Sequence, residues 1–495
     1  MPDDASPGGT PRTKVARVAG LVRGMVHDGR LAEGDPLPST RSLATELGVA
    51  RGTVTAAYEQ LDGEGYVVLR HGTVPRVAAT LAPARTEAPA ERAARPRSAP
   101  PAPAGPTARP TAVVDLEPGV PSVAAVSERD WRAAWRHAAA VPLEARYPDP
   151  AGEPALRTQI ANQLALSRGF APDAGRVVVT SGTAEAISLV TETLARRVGP
   201  GGRRARVAVE NPGYRAGRRA IESAGGAVVP VPVGDGGMDL AALRAAHARE
   251  RLDAVLVTPS HQYPLGGAMP VARRHELVAW AAAEGVLVVE DDYDSEFRHR
   301  GSPLPAMAAL DDRGVVVHVG SFSKVLDPRL RCGYLVLPAG SPSCNTLPDD
   351  GTPAGAGILA ARSGRGATVA SVTQHALAHL MSTGALRRHV ARCRRDYRTK
   401  RRIVSEAFDG ADGVQVRALD GGLHAVLELD RIPAADLVAR LADRGVRVAD
   451  LQDYVVPGSG LELNGIVLGY APPSATVLRG ALRTIRAEAG SDRKP

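Results

Sequence analysis

The stretch Ser321-Phe322-Ser323-Lys324 follows the apolar run Val315 to Val319 and leads on to Arg331 and Tyr334. Lysine and arginine together number 61 in the 495 residues, yet lysine stands only at Lys14, Lys324, Lys400 and Lys494. Nearly every positive charge in this chain is therefore written as arginine, and Lys324 is an exception that carries information. A guanidinium stays protonated at any pH a protein meets, whereas a partly buried amine can lose its proton and attack a carbonyl, so imine chemistry accepts lysine and refuses arginine. The hydroxyls of Ser321 and Ser323 and the planar fork of Arg331 suit a phosphate close by.

Working outward, short apolar strands alternate with helical stretches: Val177 to Thr180, Ala184 to Val198, Arg206 to Glu210, Ala216 to Ala224, Ala227 to Pro230, Ala254 to Thr258, Arg273 to Glu284, Val286 to Glu290 and Val315 to Val319. This order predicts a largely parallel sheet with helices on both faces and a site at the C-terminal ends of the strands. Chemically useful residues fall there. Ser181-Gly182-Thr183-Ala184 joins a strand to a helix through small residues, so free amides and the positive helix end can cup a phosphate. Glu290-Asp291-Asp292-Tyr293-Asp294 closes a buried strand with four carboxylates and a phenol. Such a cluster is costly unless it holds something cationic, either a metal or a protonated ring nitrogen.

A phosphate cup, a carboxylate with a nearby Tyr, and a Lys followed by Arg, in that order, resemble the fold-type I pyridoxal phosphate enzymes of the aminotransferase superfamily. The resemblance runs from about Tyr147-Pro-Asp-Pro-Ala-Gly-Glu-Pro-Ala-Leu-Arg157 to the C-terminus. It implies an α/β transferase fold with a large and a small lobe, and pyridoxal 5'-phosphate as cofactor, carried on Lys324 as an internal aldimine. Asp291 would keep the pyridine nitrogen protonated, although family members that space the acid three residues before the Tyr would point to Glu290. Tyr293 would meet the ring hydroxyl, and Ser321, Ser323, Arg331 and the turn Ser181, Gly182, Thr183, Ala184 would hold the phosphate. Tyr214 would lie against the ring, and Tyr147 resembles the residue that reaches the partner subunit's phosphate. In the strand Gly465-Ile-Val467-Leu-Gly-Tyr470, Val467 stands where the superfamily places the Arg that binds a substrate carboxylate. Losing such an anchor costs about 2 to 5 kcal/mol by analogy with other truncated charge pairs, which disfavours amino-acid transamination. Arg215 and Arg218 are the candidates to replace it. Where these enzymes carry an Asn-Pro-Thr-Gly turn, this chain has Pro259-Ser-His261-Gln262-Tyr263-Pro-Leu-Gly266.

Residues 11–78 read differently. Val15, Val18, Ala19, Val22, Met25 and Val26 recur at helical spacing, and Ser39 can cap a short helix carrying Leu43, Ala44 and Leu47. Gly48 then turns the chain into a helix that buries Val54, Ala57 and Leu61 and leaves Arg51, Gly52, Thr53 and Thr55 exposed at its start, the end that enters the major groove in helix-turn-helix proteins. Gly65 to Val77 alternates like a two-stranded wing. The run from Leu37 to Tyr66 resembles the winged helix-turn-helix of the GntR family of bacterial repressors, an α+β domain, and the resemblance implies contact with double-stranded operator DNA by Ser39, Arg41, Arg51, Thr53, Thr55 and Gly72. Two departures are Ala50, where Ser is usual, and the wing His71-Gly-Thr-Val-Pro75.

Between the two, residues 79–112 are rich in Ala, Pro and Arg and predict an extended, mostly disordered tether. The multidomain order of winged helix over 11–78, tether over 79–112 and aminotransferase-like domain over 113–490 resembles the MocR family of transcriptional regulators. That resemblance implies a homodimer whose DNA binding responds to pyridoxal phosphate on Lys324 or to its aldimine with an amine effector, with the C-terminal domain serving as a sensor rather than a catalyst; the alternative is a working aminotransferase with an accessory reader. Cys332, Cys344 and Cys393 lack metal-ligand spacing, and no metal centre is expected. A net charge of +8 permits a polyanionic partner. With no apolar core of a signal peptide and no membrane-length apolar run, a cytoplasmic, nucleoid-associated protein without membrane contact is expected. Residues 339–370 form a Gly/Pro/Ser-rich stretch longer than the resemblance implies, and the sequence assigns it no role.

Overall fold

The computed structural model describes residues 30–31, 34–63, 67–69, 74–77, 113–198, 203–298, 305–339 and 354–490, with positions 15, 18, 19, 21, 22 and 25 of a first helix. These belong to two compact units, Met1–Thr111 and Ala112–Pro495. In the first unit the Ser39 hydroxyl accepts from the Ser42 amide at 3.1 Å and starts the helix Thr40–Leu47. Gly48, at φ 61°, ends that helix in the left-handed conformation that glycine adopts without strain. The helix Arg51–Gly63 follows, and its Val54, Ala57, Tyr58 and Leu61 pack with Val18, Ala19, Val22, Leu37 and Leu43. The Tyr58 hydroxyl donates to the Pro38 carbonyl at 2.8 Å, tying the two helices. Strands β1 (Val67–Val68) and β2 (Arg76–Val77) pair antiparallel with Val67 opposite Val77. The wing tip with Gly72 and the expected tether lie outside the described residues.

The second unit contains β3 (Val114–Asp115), β4 (Val177–Thr180), β5 (Arg206–Asn211), β6 (Ala227–Gly234), β7 (Gly237–Met238), β8 (Ala254–Val257), β9 (Leu287–Asp292), β10 (Val316–Ser321), β11 (Gly333–Val336), β12 (Val414–Arg417), β13 (His424–Leu429), β14 (Val446–Arg447), β15 (Ala449–Asp450) and β16 (Gly465–Gly469). Eight strands form one sheet in the order β4-β11-β10-β9-β8-β5-β6-β7. The pairs from β10 through β6 are parallel, as the alternating pattern predicts. Strand β11 runs antiparallel between β10 and β4, and β7 closes a hairpin on β6. Helices cover both faces. Ala186, Ile187 and Val190 of Thr183–Val198 pack on one side, and Leu277 and Val278 of Val271–Glu284 on the other. A smaller antiparallel sheet, β12-β13-β16-β15, forms the second lobe, beside β14 paired parallel to β3.

Ala354–Arg365 is a helix with Ala354, Ile358 and Ala361 in the core. Its glycines hide the helical period, yet one of them is required by packing: a Cβ on Gly357 would stand 2.6 Å from Thr193 Cγ2 of the neighbouring helix. Tertiary packing here outweighs the roughly 1 kcal/mol helix penalty of each glycine.

The long helix Ala385–Ala407 buries Leu386, Val390 and Tyr397 as its periodicity predicts. The Tyr397 hydroxyl accepts from the buried Ser122 amide at 2.8 Å, and its ring meets Phe297 edge-on at 4.9 Å. Tyr397→Phe keeps the ring and strands that amide, which should cost about 1–3 kcal/mol. A lowered thermal midpoint with an unchanged circular dichroism spectrum is the expected result.

Candidate functional site

Lys324 is held in place by its apolar neighbours. Phe322, Val325 and Leu326 are anchored in the core on either side of it, and the Phe322 amide donates to Cys332 O at 3.1 Å. The Lys324 ammonium donates to Gly119 O at 2.6 Å. Gly119 sits at φ +81°, and a Cβ there would approach Lys324 Nζ to 2.8 Å, so only glycine lets the backbone come this close. Nothing in the sequence singles out Gly119, because it reaches the site through the fold. Burial lowers the Lys324 pKa, while Asp291 and Asp294 act against it.

Three of the four acids at the end of β9 and just beyond it are engaged. Glu290 accepts from the amides of Met307 and Ala308 and from His318 Nδ1 at 2.9 Å. Burial alone would raise its pKa, but His318 and Arg168 hold it well below the usual carboxylate range. Asp292 pairs with Arg168, Nε to Oδ2 at 2.7 Å, and Asp294 Oδ2 lies 2.8 Å from His261 Nδ1. Asp291 stands apart: it is 3% exposed, and its Oδ1 has no hydrogen-bond partner among the described residues. Burial pushes its carboxyl well above the usual range; Asp292 adds to that and Lys324 opposes it. Of the two acids considered for the ring nitrogen, Glu290 is engaged by its own partners, whereas Asp291, the preferred one, keeps an unpartnered oxygen.

The small-residue turn and Arg331 come together. Arg331 Nη2 lies 4.0 Å from the point a Cβ on Gly182 would occupy. Thr183 begins the helix Thr183–Val198, whose Glu185 reaches back to the Ser181 amide at 2.6 Å, in the manner of a capping box. Glu185 is paired with the buried Arg362 at 2.9 Å, a residue from the helix that the sequence concealed. The Ser321 hydroxyl accepts from the Ser323 amide at 3.1 Å, which draws both serines onto the same turn as Lys324.

Around this centre lie several aromatic side chains. Burial raises the Tyr214 phenol, with Asp291 adding and Arg331 opposing, which places it among the same charges. The Tyr293 hydroxyl lies 2.9 Å from His261 Nδ1. Gln262 is a structural hub, donating to Glu210 Oε2, Pro212 O and Tyr263 O. Val467 is 0% exposed and packs with Val426, Ala449 and Tyr454, with Tyr263 against them. Neither candidate replacement cation is available. Arg215 pairs with Asp453 at 2.6 Å over the Tyr454 ring, and Arg218 donates to Tyr454 O and Asp453 O. Tyr147, 98% exposed, is not brought to the site of its own chain.

In the first unit Ser39, Arg41, Arg51 and Gly52 are exposed and Thr53 and Thr55 half-buried. Arg51 Nε donates to Thr40 Oγ1 at 3.4 Å, and the Thr55 hydroxyl donates to Arg51 O at 3.1 Å, so its remaining capacity is as an acceptor.

Glu210, at the end of β5, is buried with Oε1 unpartnered among the described residues. Burial pushes its carboxyl up to about 7, against hydrogen bonds from Thr258 and Gln262. Between its ordinary value of 4.5 and about 7 the folded chain keeps a proton that the unfolded chain has released. Its contribution to stability therefore falls as pH rises through that window and is level above it. Glu210→Gln should flatten this slope in urea unfolding at a series of pH values, relative to the parent chain.

Residues 112–460 match the family Aminotransferase class I and II, and residues 14–77 match Bacterial regulatory proteins, gntR family. The HTH-type pyridoxine biosynthesis transcriptional regulator PdxR of Corynebacterium glutamicum is 39% identical over 94% of this chain and 93% of that protein. The probable rhizopine catabolism regulatory protein MocR of Rhizobium meliloti is 30% identical over 94% of this chain and 91% of its own length. Among solved structures, LysN, the alpha-aminoadipate aminotransferase of Thermus thermophilus, is 25% identical with a TM-score of 0.65, over 76% of this chain and 92% of that one. No helix among the described residues is long and apolar enough to cross a membrane. A gntR-type reader followed by a fold-type I aminotransferase-like domain, shared over nearly the whole length with regulators of the same build, shows that the chain belongs to the MocR family of transcriptional regulators.

Proposed function

We propose that this regulator binds pyridoxal 5'-phosphate at Lys324 and that the bound cofactor, alone or with an amine effector, alters how a homodimer holds operator DNA. The observation that carries the reading is the buried, unpartnered Asp291 Oδ1 in the same site as the half-buried Lys324, with Arg331 beside the Gly182 turn. When bound, pyridoxal phosphate supplies an aldehyde open to amine attack and a ring that withdraws electrons once its nitrogen is protonated. The residues present fit that group. Lys324, its pKa lowered by burial, can present a neutral amine. Asp291 would hold a proton on a ring nitrogen placed against Oδ1, which removes the cost of its buried charge. Tyr293 would meet the ring hydroxyl, Tyr214 would lie by the ring, and Ser321, Ser323, Arg331 and the amides of Ser181 to Ala184 would hold the phosphate.

The cofactor itself is the favoured signal. Val467 and its apolar neighbours leave no cation for a substrate carboxylate, and Arg215 and Arg218 are engaged elsewhere; the relative PdxR is named for pyridoxine biosynthesis. The exposed Tyr147 supports a dimer in which it reaches a second subunit. At the DNA, Arg41 and Arg51 would supply base or phosphate contacts, with Ser39, Thr53, Thr55 and the wing glycine Gly72 alongside.

The test is to titrate pyridoxal phosphate into cofactor-stripped protein bound to a labelled fragment of its own upstream DNA, at fixed salt. The cofactor should shift affinity or footprint in the parent chain. Lys324→Ala should retain basal DNA binding and lose the shift; a full response in that variant overturns the role of Lys324. Arg51→Ala should lose about 1–3 kcal/mol of operator discrimination while keeping cofactor absorbance, and unchanged operator affinity would remove that residue from the groove.

A further inference from the structure

The long helix Ala385–Ala407 carries eight arginines and Lys400 against two carboxylates, Asp396 and Glu406. Its net charge of +7 is nearly the whole surplus of the chain, which is +8 over 495 residues. An arginine-rich composition alone would spread that surplus along the sequence. Here the rest of the chain is close to neutral, so the excess belongs to one element. Arg387, Arg394, Arg395, Arg398 and Arg402 of this helix are exposed. At 3.6 residues per turn they fall within an arc of about 100° and run for about 22 Å, while Leu386, Val390, Cys393, Tyr397 and Val404 form the buried seam.

The two carboxylates do little to neutralise this stripe. Asp396 is paired with Lys400 at 2.6 Å. Glu406 meets Arg402 only at 3.8 Å, with both side chains more than half exposed, a geometry worth little. Arg387, Arg395 and Arg398 have no ion pair among the described residues. The arrangement also runs against the helix that carries it. Its first turn holds Arg387 and Arg388 and no acid, the wrong sign for the positive end of the dipole. Arg394 with Arg398, and Arg398 with Arg402, stand four apart as like charges, which opposes helix formation. The C-terminal helix Ala475–Ala489 continues the patch: Arg479, Arg483 and Arg486 are exposed on one arc, and Arg486 Nη1 donates to Ala407 O at 2.8 Å where the long helix ends. Its one carboxylate, Glu488, is paired with Arg444 at 2.9 Å.

We propose that the exposed arginines of Ala385–Ala407, continued by those of Ala475–Ala489, form a second DNA-binding surface, on the aminotransferase-like unit, that holds the phosphate backbone of duplex DNA without reading its sequence. A row of cations at successive turns, left without carboxylates, is complementary to a polyanion, whose charges relieve the repulsion along the helix. The guanidinium forks suit phosphate oxygens. No exposed aromatic side chain is interleaved with the arginines; stacking on single-stranded bases needs such side chains, and backbone contact to a duplex does not. The inference rests on DNA binding by the gntR-type unit and adds to it a contact that tightens binding to any sequence equally.

The experiment measures binding of the full-length protein to a duplex from its own upstream DNA and to a random-sequence duplex of equal length, over a series of salt concentrations. The parent chain is compared with Arg395→Gln/Arg398→Gln/Arg402→Gln, with the same three positions changed to Lys, and with Arg219→Gln/Arg249→Gln/Arg251→Gln, which removes three exposed arginines elsewhere. Each phosphate contact adds about 0.9 to the slope of log K against log salt, so the first variant should show a slope shallower by about 2 to 3 on both duplexes. Its thermal midpoint should be no lower than the parent's, since the change relieves like-charge pairs. The Lys variant, which keeps the charge, and the remote triple should both keep the parent slope. An unchanged slope in the first variant, or an equal fall in either of the others, overturns the surface. Arg51→Ala separates this inference from the reading it rests on: loss of operator discrimination there, with the parent slope kept in the first variant, removes the surface and leaves the gntR-type unit as the reader. Failure of the parent chain to bind either duplex overturns both.

Discussion

A buried carboxylate with one oxygen left without a hydrogen-bond partner among the described residues is the feature on which the C-terminal unit turns. Four acids crowd the end of β9, and a crowd of this kind survives only if each charge is answered. Arg168 answers Asp292, His318 and two amides answer Glu290, and His261 answers Asp294. Asp291 remains, with burial and Asp292 raising its pKa and Lys324 lowering it. The fold thus isolates one acid and one amine in the same enclosure, each shifted toward its uncharged form. A ligand that brings a protonated nitrogen and accepts an amine relieves both at once.

The same unit has the frame of an aminotransferase, with an apolar patch around Val467. Val467 lies in an apolar patch with Val426, Ala449 and Tyr454, and the two arginines close to that patch are spent on the backbone and acid of the 451–454 turn. A carboxylate entering this space would be desolvated without an opposing charge. A regulator gains from holding its ligand, and its response is limited only by the difference in affinity between its two states.

The reader unit is simpler and more local. Ser39 caps one helix, Gly48 ends it, and the buried face of the next helix fixes which residues stay outside. Arg41 and Arg51 stand exposed because Leu43, Ala44, Val54 and Ala57 are drawn inward.

Local patterns alone were enough for the helix-turn-helix, the alternation of strands and helices, and the small-residue turn at Ser181 to Ala184, and they singled out Lys324. Each of these is written in residues a few positions apart, where capping, periodicity and side-chain chemistry act directly. The tertiary structure decided what depends on distant segments. It brought Gly119 to Lys324, set His318 against Glu290, left Asp291 Oδ1 without a partner among the described residues, and made a helix of the glycine-rich 354–365 with Gly357 packed on Thr193. It also joined His261 and Asp294 to His424, more than a hundred residues along the chain. A buried charge or lone pair takes its meaning from whatever the fold sets against it, and that partner is as often a hundred residues away as four.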